Sequence, residues 1–379
     1  MEYSAELLAR KKLFKDCIGF KKPERIPTIS NVYTWKILDC GYKLSEAMMD
    51  YDVMEELVSE FHERYQFDAY LDLGIRNSLL PTKAMGEQFY VINDETESVN
   101  FYDHVLMEAD EYKEFAQDLK AFYWKMLLRK YPNATKGQFV DAIESFMEFG
   151  MFNKSQMEKF AHEYNIPIVL NIQGVVMNPF ESIYQTYRGI KGISIDLRKR
   201  GGELKELLDV LYEAELAPRL NAALKMTDDA FVCDFYTAFL GHSILSPKQF
   251  EEYYYPYLKK TLDAIIAAGK TIYMYSESNI LRLAEFFQDI PKGIVILHPE
   301  LDDIFELRKK LPNICIAGGM KTELLGYGTQ QECVDYAKKL IDGFGEGFIL
   351  SQDKMISFRN DCKRENLLAV NEFVRNYKS

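Results

Sequence analysis

The sequence GKTIYMYSESNILRLAEFF, residues 269–287, carries the clearest indication of how this chain folds. Its apolar and aromatic run TIYMYS (271–276) is typical of a buried strand, and a helical pattern begins directly after it. A strand followed at once by a helix is the repeating unit of a parallel sheet, because parallel strands must be joined by a crossover. The strand also delivers a carboxylate, Glu277, to its end, where no sequence neighbour requires one.

Similar apolar runs recur along the chain. They are FDAYLDL (67–73), PIVLNI (167–172), AFVCDF (230–235), GIVILH (293–298), NICIAG (313–318) and GFILSQ (347–352). Nearly continuous apolar runs, rather than alternating ones, indicate parallel strands covered by helices on both faces. Capping boxes at Ser246 and Thr329 predict the starts of two of the intervening helices, the first running to about residue 268.

The order of these elements predicts a single (β/α)8 TIM barrel that occupies residues 1–379. Additional helices are expected at the N-terminal side. A helical excursion is expected at about 75–165, after a strand-like patch at 88–93. Its amphipathic runs lie at 111–131, 135–149 and 155–164.

Composition narrows the class of protein. A net charge of −12 with dispersed basic residues argues against a nucleic-acid binder and against a tightly held polyanion. No apolar run approaches the roughly 20 residues of a membrane span. The N-terminus reads as an amphipathic helix rather than a signal peptide, and the six cysteines include no CxxC pair, so a cytoplasmic protein with reduced thiols is expected.

In such barrels the active site is built from residues at the carboxyl ends of the strands. Reading each predicted strand to its end gives a set of polar residues: Asp72, Asn171, Gln173, Asp234, Glu277, His298 and Asp353. Each also has an ordinary interpretation, since a carboxylate just past a strand is often a helix cap. His242 follows Asp234 and is either a ligand contact or an exposed loop residue.

The remaining histidines, His62, His104 and His162, fall on helical segments or in the excursion and are expected at the surface.

Glu277 and His298 end consecutive predicted strands. Adjacent strands lie about 4.8 Å apart, so the two side chains are placed to converge on one metal ion or one substrate proton. Carboxylate oxygen and imidazole nitrogen both suit Zn²⁺. Two ligands are not a zinc signature, and the residues alone indicate only a metal-assisted or acid/base-assisted barrel enzyme.

The chain resembles the uroporphyrinogen decarboxylase superfamily, in particular its corrinoid-dependent methyltransferases. The resemblance lies in ELLARKKLFKDCIGFKKPERIPTI (6–29), in residues 228–279, in NICIAGGM (313–320), in GFILS (347–351) and in RENLLAVNEFV (364–374). The part from Ser246-Pro247 through Pro256-Tyr257 is the most specific. The resemblance implies the same barrel.

Two departures from the family pattern bear on function. The decarboxylases carry an arginine-rich motif that grips an acidic porphyrin, whereas TISNVYTWKILDCGYK (28–43) contains no arginine. Thiol-methylating members bind zinc through an HxC pair and a GC pair. Here Tyr275 and Glu277 occupy the HxC positions, and SQDK (351–354) replaces the GC region. Neither porphyrin decarboxylation nor thiol methylation is therefore expected.

With these two functions set aside, the chain is similar to the ether-cleaving methyltransferases of anaerobic O-demethylase systems. The resemblance implies transfer of a methyl group from a small methoxylated aromatic to the cob(I)alamin of a separate corrinoid protein. Zinc held by Glu277 and His298, or an acid such as Tyr275, would activate the leaving oxygen. The other expected site residues are Asp234 in catalysis and Tyr33, Trp35, Asn171, Gln173, His242 and Asp353 in substrate binding.

Other functions stay open. A methylamine, a quaternary amine or a methylthiol could be the methyl donor on the same scaffold, and an aromatic cage without metal would favour a quaternary amine. A decarboxylase-like lyase and a barrel that binds a small molecule without catalysis are further alternatives. The oligomeric state also stays open, with a homodimer as one outcome.

Overall fold

The structure is a computed structural model that describes residues 2–71, 73, 79–86, 90–101 and 105–378. In chain order its strands are β1 (Thr28–Ser30), β2 (Ala69–Tyr70), β3 (Tyr90–Asn93), β4 (Ser98–Phe101), β5 (Phe235–Phe239), β6 (Ile272–Ser276), β7 (Val295–Pro299), β8 (Cys315–Met320) and β9 (Phe348–Gln352). Seven of these described strands form one curled parallel sheet in the order β2-β1-β9-β8-β7-β6-β5. β3 and β4 form a separate antiparallel hairpin.

Helices surround the sheet. In the described part of the chain they are α1 (Ala5–Ile18), α2 (Trp35–Asp39), α3 (Leu44–Ala47), α4 (Tyr51–Tyr65), α5 (Leu80–Ala84), α6 (Tyr112–Gln117), α7 (Leu119–Lys130), α8 (Lys136–His162), α9 (Pro179–Ser182), α10 (Gly189–Lys199), α11 (Gly201–Leu211), α12 (Ala217–Ala223), α13 (Pro247–Tyr253), α14 (Tyr255–Ala267), α15 (Ile304–Lys310), α16 (Thr322–Tyr327), α17 (Gln330–Phe344) and α18 (Arg364–Asn376). The arrangement confirms the predicted α/β class with a TIM-like parallel sheet. None of these helices is both long enough and apolar enough to cross a bilayer.

The second half of the chain follows the predictions closely. The predicted strands at 271–276, 293–298, 313–318 and 347–352 correspond to β6, β7, β8 and β9. Ser246 and Thr329 both form the predicted capping boxes, at the starts of α13 and α17. The first of these helices ends earlier than predicted. Tyr254 separates it from α14, because Pro256 has no N–H for a continuous helix.

Two predicted strands were wrong. AFVCDF (230–235) was placed too early, since β5 begins at Phe235. PIVLNI (167–172) is not a regular strand. Among the described residues only Ile168 forms bridges there, parallel ones to Tyr70 and to Phe231. The run ends in a 3-10 turn at Ile172–Gly174, which Asn171 caps by accepting a hydrogen bond from the Gln173 N–H at 3.2 Å.

The excursion is mostly helical, as predicted, but its helices are divided differently. The run at 111–131 is split into α6 and α7 at Asp118, whose carboxylate caps α7 by accepting from the Ala121 N–H at 2.9 Å. The runs at 135–149 and 155–164 are one helix, α8, which begins at a capping box on Thr135.

The sheet separates two groups of buried side chains. The concave side holds an interior cluster, formed by Phe14, Cys17, Ile18, Ile29, Ala69, Leu71, Val169, Val232, Cys233, Tyr236, Ala238, Tyr273, Tyr275, Ile296, Cys315, Ala317 and Ile349. α1 contributes the first three of these residues. Alternate strand residues, such as Ile272 and Met274, pack on the other side under the helices.

Candidate active site

Strand β6 presents tyrosines and a carboxylate on one side. Tyr273 and Tyr275 both belong to the interior cluster, and Tyr275 is only 2% exposed. Because side chains alternate along a strand, Glu277 continues on the same side, at the carboxyl end of β6. It is half-buried, and its N–H donates to the carbonyl of Phe239 at 3.0 Å. The predicted position of Glu277 at the rim of the sheet is therefore confirmed.

The loop that follows Glu277 is held in an unusual conformation. Ser278 has a φ of 60°, in the left-handed region. Two carboxylates from the next loop fix it. Glu300 accepts from the Ser278 N–H at 2.9 Å, and Asp302 accepts from the N–H groups of Ile280 and Leu281 at 2.9 and 2.8 Å. Asp302, rather than Glu277, supplies these capping bonds, so the interpretation of Glu277 as a simple helix cap is not supported.

His298 on β7 lies directly beside Tyr275. The two residues are paired in the β6–β7 register, and their rings pack edge to face with centroids 4.9 Å apart. His298 is fully buried. Its Nε2 lies 2.8 Å from the Gln352 carbonyl and its Nδ1 lies 2.6 Å from the Tyr273 hydroxyl. Since a carbonyl only accepts, Nε2 carries the hydrogen and Nδ1 accepts from Tyr273.

Gly318 makes this reach across the sheet possible. His298 on β7 contacts β9, so its ring must pass over β8. Gly318 has a φ of +120°, and a Cβ there would lie 3.1 Å from Cδ2 of His298. Only glycine combines that backbone conformation with the space that the imidazole needs.

These contacts bear on the predicted zinc site. Both ring nitrogens of His298 already take part in hydrogen bonds, so zinc ligation would require breaking one of them. Within the described residues, no group of three or more His, Cys, Asp or Glu side chains is placed to hold a metal ion. The donor set around Glu277 and His298 therefore does not fit zinc, and no catalytic step is routed through a metal.

A buried carboxylate, Glu181, braces the neighbouring loop. It accepts from the N–H groups of Leu240 and Gly241, both within 3.1 Å, and from the Tyr254 hydroxyl at 2.7 Å. Burial raises the pKa of Glu181. In the adjacent π-helical turn, Tyr184 has its pKa raised mainly by burial and further by the charges of Glu181 and Glu277. Tyr184 therefore senses the charge of Glu277, although no motif in the sequence links the two residues.

Asn31 is a second residue that sequence reasoning missed. It follows β1 at the carboxyl edge of the sheet, and its N–H donates to the Gln352 side-chain oxygen at 2.7 Å. The residue is 1% exposed, yet both polar atoms of its carboxamide lack a hydrogen-bond partner among the described residues. The only sequence signal is a polar SN pair after the apolar run IPTI.

Asp234 does not lie at the predicted edge. It precedes β5, and its carboxylate accepts from the Thr271 N–H and hydroxyl, both at 2.9 Å, and from Lys270 Nζ at 3.1 Å. Thr271 and Lys270 precede β6, so this cluster lies at the amino ends of the strands. The predicted position of Asp234 at the carboxyl end of its strand was wrong because β5 begins later than its apolar run, and its predicted catalytic role stays a prediction.

Asn171, in the same turn as Gln173, bonds to the backbone of Asp234. Asn171 Nδ2 donates to the Asp234 carbonyl at 2.8 Å, while the Gln173 side chain is exposed. The hydrogen bonds of Asn171 shape the turn after the Ile168 bridges, and the predicted role of the two residues in substrate binding stays a prediction.

His242 is buried, not exposed, and lies outside the interior cluster. Its Nε2 is 3.5 Å from the hydroxyl of Ser276, a residue whose neighbours Tyr275 and Glu277 point to the opposite side of β6. Burial, with a smaller effect of the Arg282 charge, lowers the pKa of His242 to about 4. The structure thus places His242 in packing behind the strand, so its interpretation as an exposed loop residue was wrong, while its predicted substrate contact stays a prediction.

The N-terminal aromatic residues differ in their surroundings. Trp35 is 3% exposed, packs against Phe61 and Tyr65, and donates from Nε1 to the Cys362 carbonyl at 3.1 Å. The indole is therefore enclosed by neighbouring rings, and its predicted stacking on a substrate stays a prediction. Tyr33 is half-buried, with its N–H bonded to the Ile356 carbonyl at 2.8 Å, and its predicted substrate contact stays a prediction.

Asp353 lies at the carboxyl edge as predicted, but its carboxylate has a structural partner. It accepts from the Thr322 N–H and hydroxyl at 2.9 and 2.6 Å, at the start of α16. With Glu300, Lys321 and Lys354 it also lines a cleft of about 430 Å³. Because Glu300 bonds to Ser278, this cleft adjoins the loop that carries Glu277.

The structure confirms the predicted surface position of one further histidine and corrects that of another. His162 is exposed, as predicted. His62 is buried, with Nδ1 2.8 Å from the Tyr70 hydroxyl, so its predicted surface position was wrong. Asp72 and His104 lie outside the described residues.

Comparisons with known proteins agree with this fold. A model of the uroporphyrinogen decarboxylase (URO-D) family matches residues 155–377. Among curated proteins none matches the chain. A solved structure of a methyltransferase from Methanosarcina mazei covers 98% of this chain and 99% of its own, with a TM-score of 0.65 and 16% sequence identity. At that identity the likeness demonstrates a shared fold.

Proposed function

Because this chain belongs to the uroporphyrinogen decarboxylase family, we propose that it is a methyltransferase built on that scaffold rather than a decarboxylase. The fold shared along nearly the whole chain with a methyltransferase supports this proposal. So does the absence of arginine from residues 28–43, where the decarboxylases grip an acidic substrate.

The proposed reaction moves a methyl group from a small aryl methyl ether to the cob(I)alamin of a separate corrinoid protein. The observation that carries it is the placement of Tyr275 and Glu277. They stand on one side of β6 at the positions where thiol-methylating members of the branch resembled here have thiol-activating zinc ligands. A phenol and a carboxylate are suited to an oxygen leaving group rather than to a thiolate.

Chemically, the bond between the methyl carbon and the ether oxygen breaks, and both electrons stay on the oxygen. The corrinoid supplies the nucleophile that takes the methyl carbon. In this proposal Tyr275 donates its phenolic proton to the departing oxygen, and Glu277 holds the donor by accepting a hydrogen bond from its ring hydroxyl. His298, fixed by Tyr273 and Gln352, supports the ring of Tyr275 from the side.

A quaternary amine is the second candidate donor. Tyr236 and Tyr273 are stacked with centroids 6.1 Å apart in the same interior cluster as Tyr275, below the carboxylate of Glu277. Tyrosine faces and a carboxylate attract a methylated ammonium group, which leaves without proton donation.

We also infer that the curled sheet closes into a (β/α)8 barrel. Segment 166–170 lies between the two edge strands of the sheet, and its bridges run parallel to both sides. Val169 N–H donates to the Tyr70 carbonyl at 2.8 Å, and Val232 N–H donates to the Ile168 carbonyl at 2.9 Å. This segment would be the eighth strand of the barrel, and Glu277 would lie at the open end formed by the carboxyl ends of the strands.

The function is tested by mixing the purified protein with free cob(I)alamin and either 2-methoxyphenol or tetramethylammonium, and recording methylcobalamin formation by absorbance. With 2-methoxyphenol, Tyr275→Phe is expected to lower the rate by about 100-fold or more, as is typical when a general acid is lost. The surface variant Glu251→Gln serves as the matched control, because Glu251 is exposed on α13.

Three outcomes are informative. Loss of rate in Tyr275→Phe with an unchanged melting temperature supports proton donation. Full activity of Tyr275→Phe with 2-methoxyphenol contradicts it. The protein could instead turn over tetramethylammonium alone, at a rate that Tyr275→Phe leaves unchanged and Glu277→Gln abolishes. That result would identify a quaternary amine, not an aryl methyl ether, as the methyl donor.

A further inference from the structure

The main chain and the side chain of Asn31 differ in their hydrogen bonding. The N–H donates to the Gln352 side-chain oxygen at 2.7 Å, and the carbonyl accepts from the Ile356 N–H at 3.0 Å. The carboxamide is buried with the rest of the residue, which is 1% exposed, but neither Oδ1 nor Nδ2 has a partner among the described residues. An unpaired buried polar group lowers stability, so its presence calls for an explanation other than folding.

The side chain of Asn31 points to the concave side of the sheet. Side chains alternate along a strand, and Ile29, two residues earlier, belongs to the interior cluster. Val32, the next residue, packs under the helices and forms a parallel bridge with Ile356, so the alternation continues past the end of β1. The carboxamide therefore lies at the carboxyl edge of the sheet, on the same side as Tyr275.

A continuous set of contacts links Asn31 to Tyr275. The ring of His298 packs on Tyr275 with centroids 4.9 Å apart, passes over β8 and donates from Nε2 to the Gln352 carbonyl at 2.8 Å. The side chain of the same glutamine holds the Asn31 N–H. Strands β9, β8 and β7 lie between β1 and β6 in the curled sheet. A molecule held at Tyr275 therefore has Asn31 on the opposite wall.

The chemistry of a carboxamide restricts what it can bind. Its oxygen only accepts and its NH2 group only donates, so a ligand group that pairs with both must itself accept and donate. A neutral primary carboxamide does so through two parallel hydrogen bonds. A ketone accepts but leaves Oδ1 unpaired, and a carboxylate also places its negative charge against Oδ1.

On the basis of the proposed function, we propose that Asn31 binds a second, neutral substituent of the methyl donor. This substituent both accepts and donates a hydrogen bond, as a carboxamide on the aromatic ring does. The donor is then held at three points, with the ether oxygen at Tyr275, the ring hydroxyl at Glu277 and the neutral substituent at Asn31. Three separate contacts fix the orientation of a planar ring, and methyl transfer depends on that orientation.

Equilibrium binding, measured by isothermal titration calorimetry, tests recognition apart from methyl transfer. The probes are 4-hydroxy-3-methoxybenzamide, the methyl ketone 4-hydroxy-3-methoxyacetophenone, and 4-hydroxy-3-methoxybenzoate. They have nearly the same shape and differ only in the group that faces Asn31. Wild type is expected to bind the amide at least about tenfold more tightly than the other two, because each of those leaves Oδ1 unpaired. Asn31→Leu is expected to remove the preference for the amide over the ketone.

Two further variants control for packing and for position. Asn31→Ala cannot overpack the interior and is expected to lose the same preference. Gln156→Leu is the matched control. Gln156 is also 1% exposed with an unpaired carboxamide, but it lies on α8, outside the sheet. The preference for the amide is expected to stay unchanged in Gln156→Leu.

Thermal unfolding separates ligand binding from a structural role. Asn31→Leu is expected to melt at or above the wild-type temperature, because it removes an unpaired polar group. Asn366→Leu is expected to melt lower. Asn366 is equally buried, but its Nδ2 donates to the Leu325 and Gly328 carbonyls at 2.9 and 3.0 Å. Losses in both Asn31 variants as large as that of Asn366→Leu would assign Asn31 to the fold and overturn the proposal.

The binding data also distinguish two failures. If wild type binds the amide and the ketone equally well, Asn31 does not read the substituent, while the aryl methyl ether stands as the donor. If wild type binds none of the three probes, the aryl methyl ether itself is excluded, and the role of Asn31 in binding it is excluded too.

Discussion

His298 shows how one side chain depends on residues far apart in sequence. Its two ring nitrogens bond to a tyrosine hydroxyl on its neighbour β6 and to a carbonyl on β9, 54 residues further on. The imidazole is therefore fixed in one tautomer and one orientation. In that position it supports the Tyr275 ring and is not presented to a ligand.

His242 makes stability depend on pH. Burial lowers its folded pKa to about 4, whereas in the unfolded chain it titrates near about 6.5. Between these values the unfolded chain binds more protons, so the free energy of unfolding falls as the pH drops. At pH 5 the loss from this residue is expected to be about 1–2 kcal/mol.

The measurement compares wild type and His242→Gln by denaturant unfolding at pH 7 and pH 5. The variant should lose less stability between the two values. His62, whose pKa burial also lowers to about 4, is present in both proteins and contributes the same background. An equal loss in the two proteins would contradict the buried, neutral state of His242.

At the level of elements, strand β8 depends on glycine at one point. Gly318→Ala places a Cβ against the His298 ring at a φ of +120°. The expected destabilisation is about 1–3 kcal/mol from backbone strain, with about 1 kcal/mol more if the His298 bond to Gln352 is lost. Gly293→Ala is the matched control, since Gly293 also has positive φ but a Cβ there meets nothing within 4 Å. Thermal unfolding that shows equal losses would argue against the His298 contact.

The elements that could be predicted are those whose conformation is determined by residues within the element itself. TIYMYS is mostly β-branched and aromatic, and Ser246 and Thr329 make capping bonds within their own turns. AFVCDF could not be placed correctly, because Asp234 bonds to Thr271 on another segment and so ends up before the strand. Apolar runs predict that a strand exists more reliably than where it begins.

In the molecule as a whole, the candidate site could be predicted only where the order of the strands determines which residues lie together. Tyr275 meets His298 because β6 and β7 are consecutive strands in parallel register, and Glu277 lies at the edge of the sheet because it follows β6 directly. Glu181 and Asn31 gave little signal, since each acquires its role from contacts with distant segments. The enclosure of Trp35 could not be predicted for the same reason, because the sequence does not show whether another ring covers an aromatic residue.

Closure of the sheet is the remaining property of the whole molecule that an experiment can decide. If segment 166–170 is the eighth strand of the barrel, strands on both sides shield the amides of Ile168 and Val169. These amides donate to the Ala230 and Tyr70 carbonyls, respectively, at 2.8 Å. Hydrogen exchange followed by mass spectrometry should then show this segment protected to about the same degree as β6, because both would open only with the whole barrel. The β3–β4 hairpin, which pairs only with itself in the described structure, provides the comparison for weak protection. Exchange of Ile168 and Val169 as fast as that hairpin would mean an open sheet, with the mouth at Glu277 lacking one wall.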